Sequence, residues 1–207
     1  GFVAAGVFAG SGAIAASNVA RWDGSSWSPL GAGLPGTGYA LAVYKGELVA
    51  GGEWWNYHLA RWNGQAWTTL GGGTSGPVYA LGTYGEDLVV AGSFSSAGGV
   101  SAYNIARWDG AAWHALGSGI GGSYVSTLGT YHGELLAGGH FATAGGLRVY
   151  NVAAWDGAAW HPLCSGTNSD VESFTVWRDT LFVGGPFTEA GGVWADHIAS
   201  WDGTQWA

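Results

Sequence analysis

The stretch "ARWDGSSW" (Ala20 to Trp27) decides the fold, because close variants of it occur five times. "ARWNGQAW" (Ala60 to Trp67), "ARWDGAAW" (Ala106 to Trp113), "AAWDGAAW" (Ala153 to Trp160) and "ASWDGTQW" (Ala199 to Trp206) follow it at steps of 40, 46, 47 and 46 residues. Self-similarity at such a period marks a stacked-repeat architecture, in which a unit too small to bury its own apolar face gains a core from its neighbour. In each copy Asp-Gly or Asn-Gly, a strong hairpin signal, lies between two tryptophans. The two rings are expected to meet across the hairpin. The Asp or Asn side chain is expected to fix the turn by accepting a hydrogen bond from the backbone two residues on.

Between the copies run "YALAVYKGELVAGG" (Tyr39 to Gly52), "YALGTYGEDLVVAG" (Tyr79 to Gly92), "STLGTYHGELLAGG" (Ser126 to Gly139) and "SFTVWRDTLFVGG" (Ser173 to Gly185). Each unit therefore holds four short strands: in the second unit a (Ala40 to Tyr44), b (Glu47 to Gly52), c (His58 to Trp62) and d (Ala66 to Leu70). Strand b is an unbroken apolar run, which suits burial on both faces and requires sheets stacked on each side. The chain is thus read as all-β, a β-propeller of four-stranded antiparallel blades with about five repeats, at roughly 1–30, 31–70, 71–116, 117–163 and 164–207. The first unit opens in strand b, "FVAAGVF" (Phe2 to Phe8), and lacks strand a; the last is truncated in strand d. With Gly1 in first place and no methionine anywhere, the chain is expected to be a processed form or a piece of something longer. A propeller segment, or a ring completed by another chain, is preferred to a closed five-bladed monomer.

The doubled glycine closing strand b (Gly51-Gly52, Gly138-Gly139, Gly184-Gly185), with an aromatic in strand c and a tryptophan in strand d (Trp67, Trp160, Trp206), resembles the kelch repeat. The phrase "AGSFSSAGGVSAYNIARWDG" (Ala91 to Gly110) is similar to the kelch-like propellers of secreted bacterial surface proteins and of fungal Rax-family cortical landmark proteins. The resemblance implies an extracellular or cell-surface location. It implies no particular activity, because propellers of this kind host binding proteins and enzymes alike. Two units depart from the doubled glycine, with Ala5-Gly6 and Ala91-Gly92. Kelch-like copper radical oxidases crosslink a cysteine to a tyrosine. Cys164, however, stands where other units have Gly31, Gly71 and Gly117, and the oxidase site is not carried over.

Composition narrows the function. Six Lys and Arg stand against fourteen Asp and Glu, a net charge of -8, so the basic stripe of a nucleic-acid binder is missing. No apolar run approaches the roughly 18 residues of a membrane helix, and membrane insertion is not expected. The lone Cys164 can form no internal disulfide. "GAGLPG" (Gly31 to Gly36) matches a dinucleotide fingerprint, but "GGGTSG" (Gly71 to Gly76) and "GSGIGG" (Gly117 to Gly122) match it too, and none opens a helix. They read as strand-to-strand loops.

The a–b and c–d turns are alike from unit to unit, whereas the d–a and b–c loops, expected together on the opposite face, differ. There lie the candidate ligand-binding residues Trp54, Trp55, Tyr57, His58, Tyr150, Trp194 and His197. Tryptophan and tyrosine offer flat apolar area with a polar edge. The competing reading folds Trp54 and Trp55 back over the core in place of a shortened loop. No two histidines sit at metal-ligand spacing, and neither metal nor cofactor is expected. The expected function is a non-catalytic binding or scaffold module recognising a protein or glycan, with further blades or another copy of the chain as possible partners. The alternative is a glycan-active enzyme, an oxidase, lyase or sialidase relative.

Overall fold

The computed structural model describes residues 1–11, 14–54 and 56–207 and places no described residue in a helix. Unit one contributes β1 (Phe2–Ala5), a short hairpin of β2 (Gly10–Ser11) and β3 (Ile14–Ala15), then β4 (Val19–Trp22) and β5 (Trp27–Pro29). Unit two is β6 (Thr37–Tyr44), β7 (Glu47–Glu53), β8 (Leu59–Trp62) and β9 (Trp67–Thr69). Unit three is β10 (Val78–Tyr84), β11 (Asp87–Gly92), the hairpin β12 (Ser96–Ala97) and β13 (Val100–Ser101), β14 (Ile105–Trp108) and β15 (Trp113–Ala115). Unit four has the two longest strands, β16 (Ile120–Tyr131) and β17 (Glu134–Ala144), with β18 (Leu147–Arg148), β19 (Val152–Trp155) and β20 (Trp160–Pro162). Unit five is β21 (Ser173–Trp177), β22 (Thr180–Gly184), the hairpin β23 (Glu189–Ala190) and β24 (Val193–Trp194), and β25 (Ile198–Trp201).

All pairings are antiparallel. The orders β6-β7-β8-β9, β10-β11-β14-β15 and β16-β17-β19-β20 repeat the same meander. The first sheet has only β1-β4-β5, and the fifth has β21-β22-β25 with its fourth strand reduced to a bridge between Trp201 and Trp206. Strand a starts earlier than its apolar run suggests, at Thr37 in unit two, because residues before the run still pair with the end of strand b. In unit four this goes further, and Ile120 to Gly122, expected in a loop, belong to β16 and pair with Phe141 to Ala144.

The turn chemistry is local. Asp23 Oδ1 accepts from the N–H groups of Ser25 and Ser26, and Asn63, Asp109, Asp156 and Asp202 repeat this pattern. These bonds hold the carboxyls of Asp23 and Asp109 well below the ordinary range; that of Asp202 falls to about 2, through the Thr204 hydroxyl first. The flanking tryptophans meet as tilted pairs with ring centroids 5.2 to 5.5 Å apart. Four of the five pairs also reach the residues just after strand d of the preceding sheet. The indole N–H groups of Trp67, Trp113, Trp160 and Trp206 donate to the carbonyls of Leu30, Gly71, Leu116 and Leu163, at 2.8 to 3.1 Å.

The core consists of four clusters, each straddling two consecutive sheets. Val19, Leu30 and Leu34 pack with Ala50 and Trp54; Val49 and Leu59 with Val78 and Leu88; Val89 and Ile105 with Val125 and Leu135; Leu136 and Val152 with Leu181 and Val183. Strand b is therefore buried on both sides in the middle units, as its unbroken apolar run requires. The second glycine of each pair has a separate cause. A Cβ on Gly52, Gly92, Gly139 or Gly185 would run into the carbonyl oxygen of Thr37, Pro77, Tyr124 or Asp170, in the strand-a segment of that unit or just before it. Gly6, in the unit without strand a, would meet only the Phe8 ring, at 3.7 Å.

Candidate functional site

Strand a carries a register shift in each of the three complete sheets, skipping Tyr39 between Gly38 and Ala40, Tyr79 between Val78 and Ala80, and Ser126 between Val125 and Thr127. A bulge frees one residue from the ladder and re-aims its side chain. Tyr39 and Tyr79, so released, line up with Tyr124, which stays in its ladder, in a row of tyrosines crossing three units. Tyr39 meets Tyr79 edge to face at 5.4 Å, and Tyr79 meets Tyr124 in the same manner at 5.8 Å. His140, paired with Tyr124 across the β16–β17 ladder, extends the row at 6.0 Å. All four residues lie at the ends of strands a and b that carry the d–a and b–c loops.

Carboxylates tie down both ends of the row. The Tyr39 hydroxyl donates to Glu53 Oε2 at 3.0 Å, and the Tyr124 hydroxyl to Asp170 Oδ2 at 2.6 Å. The His140 Nδ1 lies 2.5 Å from the other Asp170 oxygen, so Asp170, in the loop entering unit five, ties two residues of unit four. The bond to Asp170, then burial, pushes the Tyr124 hydroxyl up to about 12. Burial works to raise the Asp170 carboxyl, but the Tyr124 and His140 bonds outweigh it and hold the carboxyl below its ordinary value. Tyr39 is raised by its bond to Glu53 and Tyr79 by burial. At neutral pH the pair is thus a fixed carboxylate and a fixed phenol, neither poised to exchange a proton as a catalytic acid or base would be.

The structure distributes the residues singled out from sequence among different roles. Trp54 is 6% exposed and belongs to the core between the first two sheets, and what remains open of it lines, with Glu53, Asn56 and His58, a cavity of about 440 Å³. It stands two residues after the second glycine of its unit, where the others have Phe8, Phe94, Phe141 and Phe187. The recurrence of an aromatic at that position is a sequence signal for a residue packed between sheets. Trp55 lies outside the described residues. His58 and His197 occupy a backbone position held elsewhere by Asn18, Asn104 and Asn151, all with positive φ. Each of those asparagines accepts from the N–H of the plug residue and donates to a carbonyl of the segment after strand d, that of Leu34, Ile120 at the start of β16, or Thr167. His58 keeps the first bond, its Nδ1 accepting from Trp54 N–H at 3.4 Å, and burial lowers its pKa in keeping with a neutral acceptor. His197 instead contacts Asp196 at 2.6 Å.

Tyr57, Tyr150 and Trp194 are on the surface, Trp194 the most open at 74% exposed, paired with Glu189 at the end of the β23–β24 hairpin away from its turn. Tyr57 and Tyr150 share their repeat position with Tyr103, also exposed. Two shallow clefts flank Tyr150. One, of about 300 Å³, runs to Ser123 and His140; the other, of about 400 Å³, runs to Ser165, Asn168 and Glu189. Arg148 covers the Tyr150 ring at 5.2 Å. Tyr39, Tyr79, Tyr103 and Tyr124 were missed from sequence, although Tyr39 and Tyr79 open identical "YAL" phrases and Tyr103 precedes an asparagine as Tyr150 does. Among the described residues no three His, Cys, Asp or Glu side chains are grouped to hold a metal ion. Neither a scan of protein-family models nor a search of curated proteins returns a match to the chain.

Proposed function

We propose that the chain folds into kelch-like β-propeller blades of a secreted or cell-surface protein, acting as a non-catalytic binding module through the face that carries its d–a and b–c loops. The propeller reading is supported by the recurrence of one strand order and by cores that always join consecutive sheets. The observation that carries the binding reading is the tyrosine row of Tyr39, Tyr79 and Tyr124, in ring contact across three units and fixed at both ends by carboxylates. A preorganised aromatic surface costs little conformational entropy on binding. Shallow clefts walled by Tyr150 and edged by serine, asparagine and glutamate suit a carbohydrate, whose apolar ring faces stack while its hydroxyls exchange hydrogen bonds. A protein partner would use the same face.

A glycan array probed with the chain, and with Tyr79→Ala and Tyr150→Ala, tests the reading. Each substitution should weaken binding by about 1 to 3 kcal/mol with the β-sheet dichroism spectrum unchanged. Glycan or protein binding that both variants retain in full would show that this face is not the recognition surface.

A further inference from the structure

Between the fourth and fifth sheets lies a cavity of about 440 Å³, with Tyr131, Glu134, Leu136, Ala154, His161 and Trp201 in its lining. It lies where the repeat changes one residue. The third residue of strand c is Arg21, Arg61 and Arg107 in the first three units, Ala154 in the fourth and Ser200 in the fifth. Arg61, Arg107 and Ala154 stand opposite Val49, Val89 and Leu136 of strand b. Cross-strand partners share a face of the sheet, and these three apolar residues pack towards the next unit. The arginine position therefore borders the gap between consecutive sheets.

In units two and three that arginine is paired with the acid that opens strand b: Arg61 meets Glu47 at 3.2 Å, and Arg107 meets Asp87. Unit four keeps the acid, Glu134, but has Ala154 in place of the base. A histidine shows the consequence. His114 and His161 sit across from Arg107 and Ala154 at the same register. Beside Arg107, His114 Nε2 contacts Asp109 at 2.6 Å; beside Ala154, His161 Nε2 lies 3.1 Å from Glu134 Oε1 instead. One ring nitrogen engages one carboxylate oxygen, whereas a guanidinium fork engages both. Among the described residues nothing else bonds the Glu134 carboxylate, and no lysine or arginine lines the cavity.

We propose that this cavity binds a guanidinium group, which takes against Glu134 the place that Arg61 and Arg107 hold in their own units. Its volume falls within the range of about 300 to 1,000 Å³ of small-ligand sites, and its walls suit the group. Tyr131 and Trp201 supply aromatic surface for a flat, weakly hydrated cation, while Leu136 and Ala154 supply apolar surface for its stem. Tyr131 is fixed by its hydroxyl, which donates to the Asp179 carbonyl at 3.0 Å, and by His132 stacked on its ring at 3.9 Å. A free ligand and an arginine side chain of a partner present the same fork. The cavity shares no residue with the tyrosine row or with the clefts beside Tyr150, so this inference stands apart from the ligand proposed for the loop face.

Calorimetric titration of the 207-residue chain with L-arginine and with N-acetyl-arginine methylamide, each against its citrulline counterpart, tests the proposal. Citrulline keeps the shape and replaces the cation by a neutral urea. At least one arginine compound should bind at least about tenfold more tightly than its counterpart. Binding of the free amino acid alone identifies a free ligand, and binding of the capped form a side chain within a protein. Ala154→Arg should abolish the binding, because its own guanidinium takes Glu134, and Glu134→Gln should weaken it at least about tenfold. The first installs the residue that three other units carry and the second keeps side-chain size, with an unchanged dichroism spectrum as the check on folding. Should Ala154→Arg not fold, Glu134→Gln decides. Cys164 is exposed and lines the same cavity, so the bound arginine compound should slow its alkylation by iodoacetamide. The proposal would be overturned by absence of binding, by equal binding of the citrulline compounds, by a folded Glu134→Gln chain that binds as well as the wild type, or by a Cys164 alkylation rate that bound ligand leaves unchanged.

Discussion

Alanine at the second glycine of strand b should be costly in one unit and harmless in another, although the repeat position is the same. In Gly92→Ala the new Cβ would run into the Pro77 carbonyl oxygen and lie 2.9 Å from Val78 Cα and 3.0 Å from the Pro77 carbonyl carbon. All three obstacles are backbone, so relief requires moving the start of β10 away from β11, where Val78 pairs with Gly92. Overpacking of this kind costs about 1 to 3 kcal/mol, and displaced backbone belongs at the upper end. The smaller freedom of alanine in the unfolded chain offsets about 0.4 to 1 kcal/mol, leaving a loss of about 2 kcal/mol. In Gly6→Ala the nearest atoms are the edge of the Phe8 ring at 3.7 and 3.8 Å, an ordinary contact, so only the unfolded-state term remains and stability should stay level or rise by up to about 1 kcal/mol. Neither glycine has positive φ, so backbone conformation does not separate the two. Guanidinium unfolding followed by tryptophan fluorescence reads both, with midpoint and slope compared, because stacked units can lose cooperativity and change the slope. Equal losses at Gly6 and Gly92 would refute the close-approach explanation.

Trp54→Ala removes a buried ring and should cost about 3 to 5 kcal/mol in the same unfolding experiment, whereas Trp194→Ala at an exposed position of β24 should stay within about 0.5 kcal/mol; a mild Trp54→Ala would mean that the ring is not a core plug. The raised Tyr124 hydroxyl should contribute stability that is fully present below the ordinary tyrosine value of 10 and is lost as pH rises from there through about 12. Ultraviolet titration of the nine tyrosines should show a late-ionising phenol that Asp170→Asn returns towards 10, and a single ionisation step near 10 in the wild type would rule out the Tyr124–Asp170 bond.

The sequence by itself determined what depends on near neighbours. The recurring Trp-Asp-Gly phrase specifies a hairpin because the aspartate reaches N–H groups only two and three residues away. The apolar "LVAGG" run specifies a strand buried on both faces because no alternation leaves it a wet side. Strand type, order and the three-stranded first unit follow from such local marks. Only the tertiary structure decided which aromatics face the solvent. Trp54 and Trp194 look alike in a variable loop, but one fills the gap between two sheets and the other stands exposed on a short hairpin. The tyrosine row was equally out of reach, because Tyr39, Tyr79 and Tyr124 meet only after bulges release the first two from their ladders and three sheets bring together residues some forty positions apart. Ile198 carries the same lesson: its sequence position matches four buried residues, and its exposure depends on whether another sheet lies against it. Turns and strands are set by bonds within a few residues, while burial is set by whatever the completed fold places on the other side.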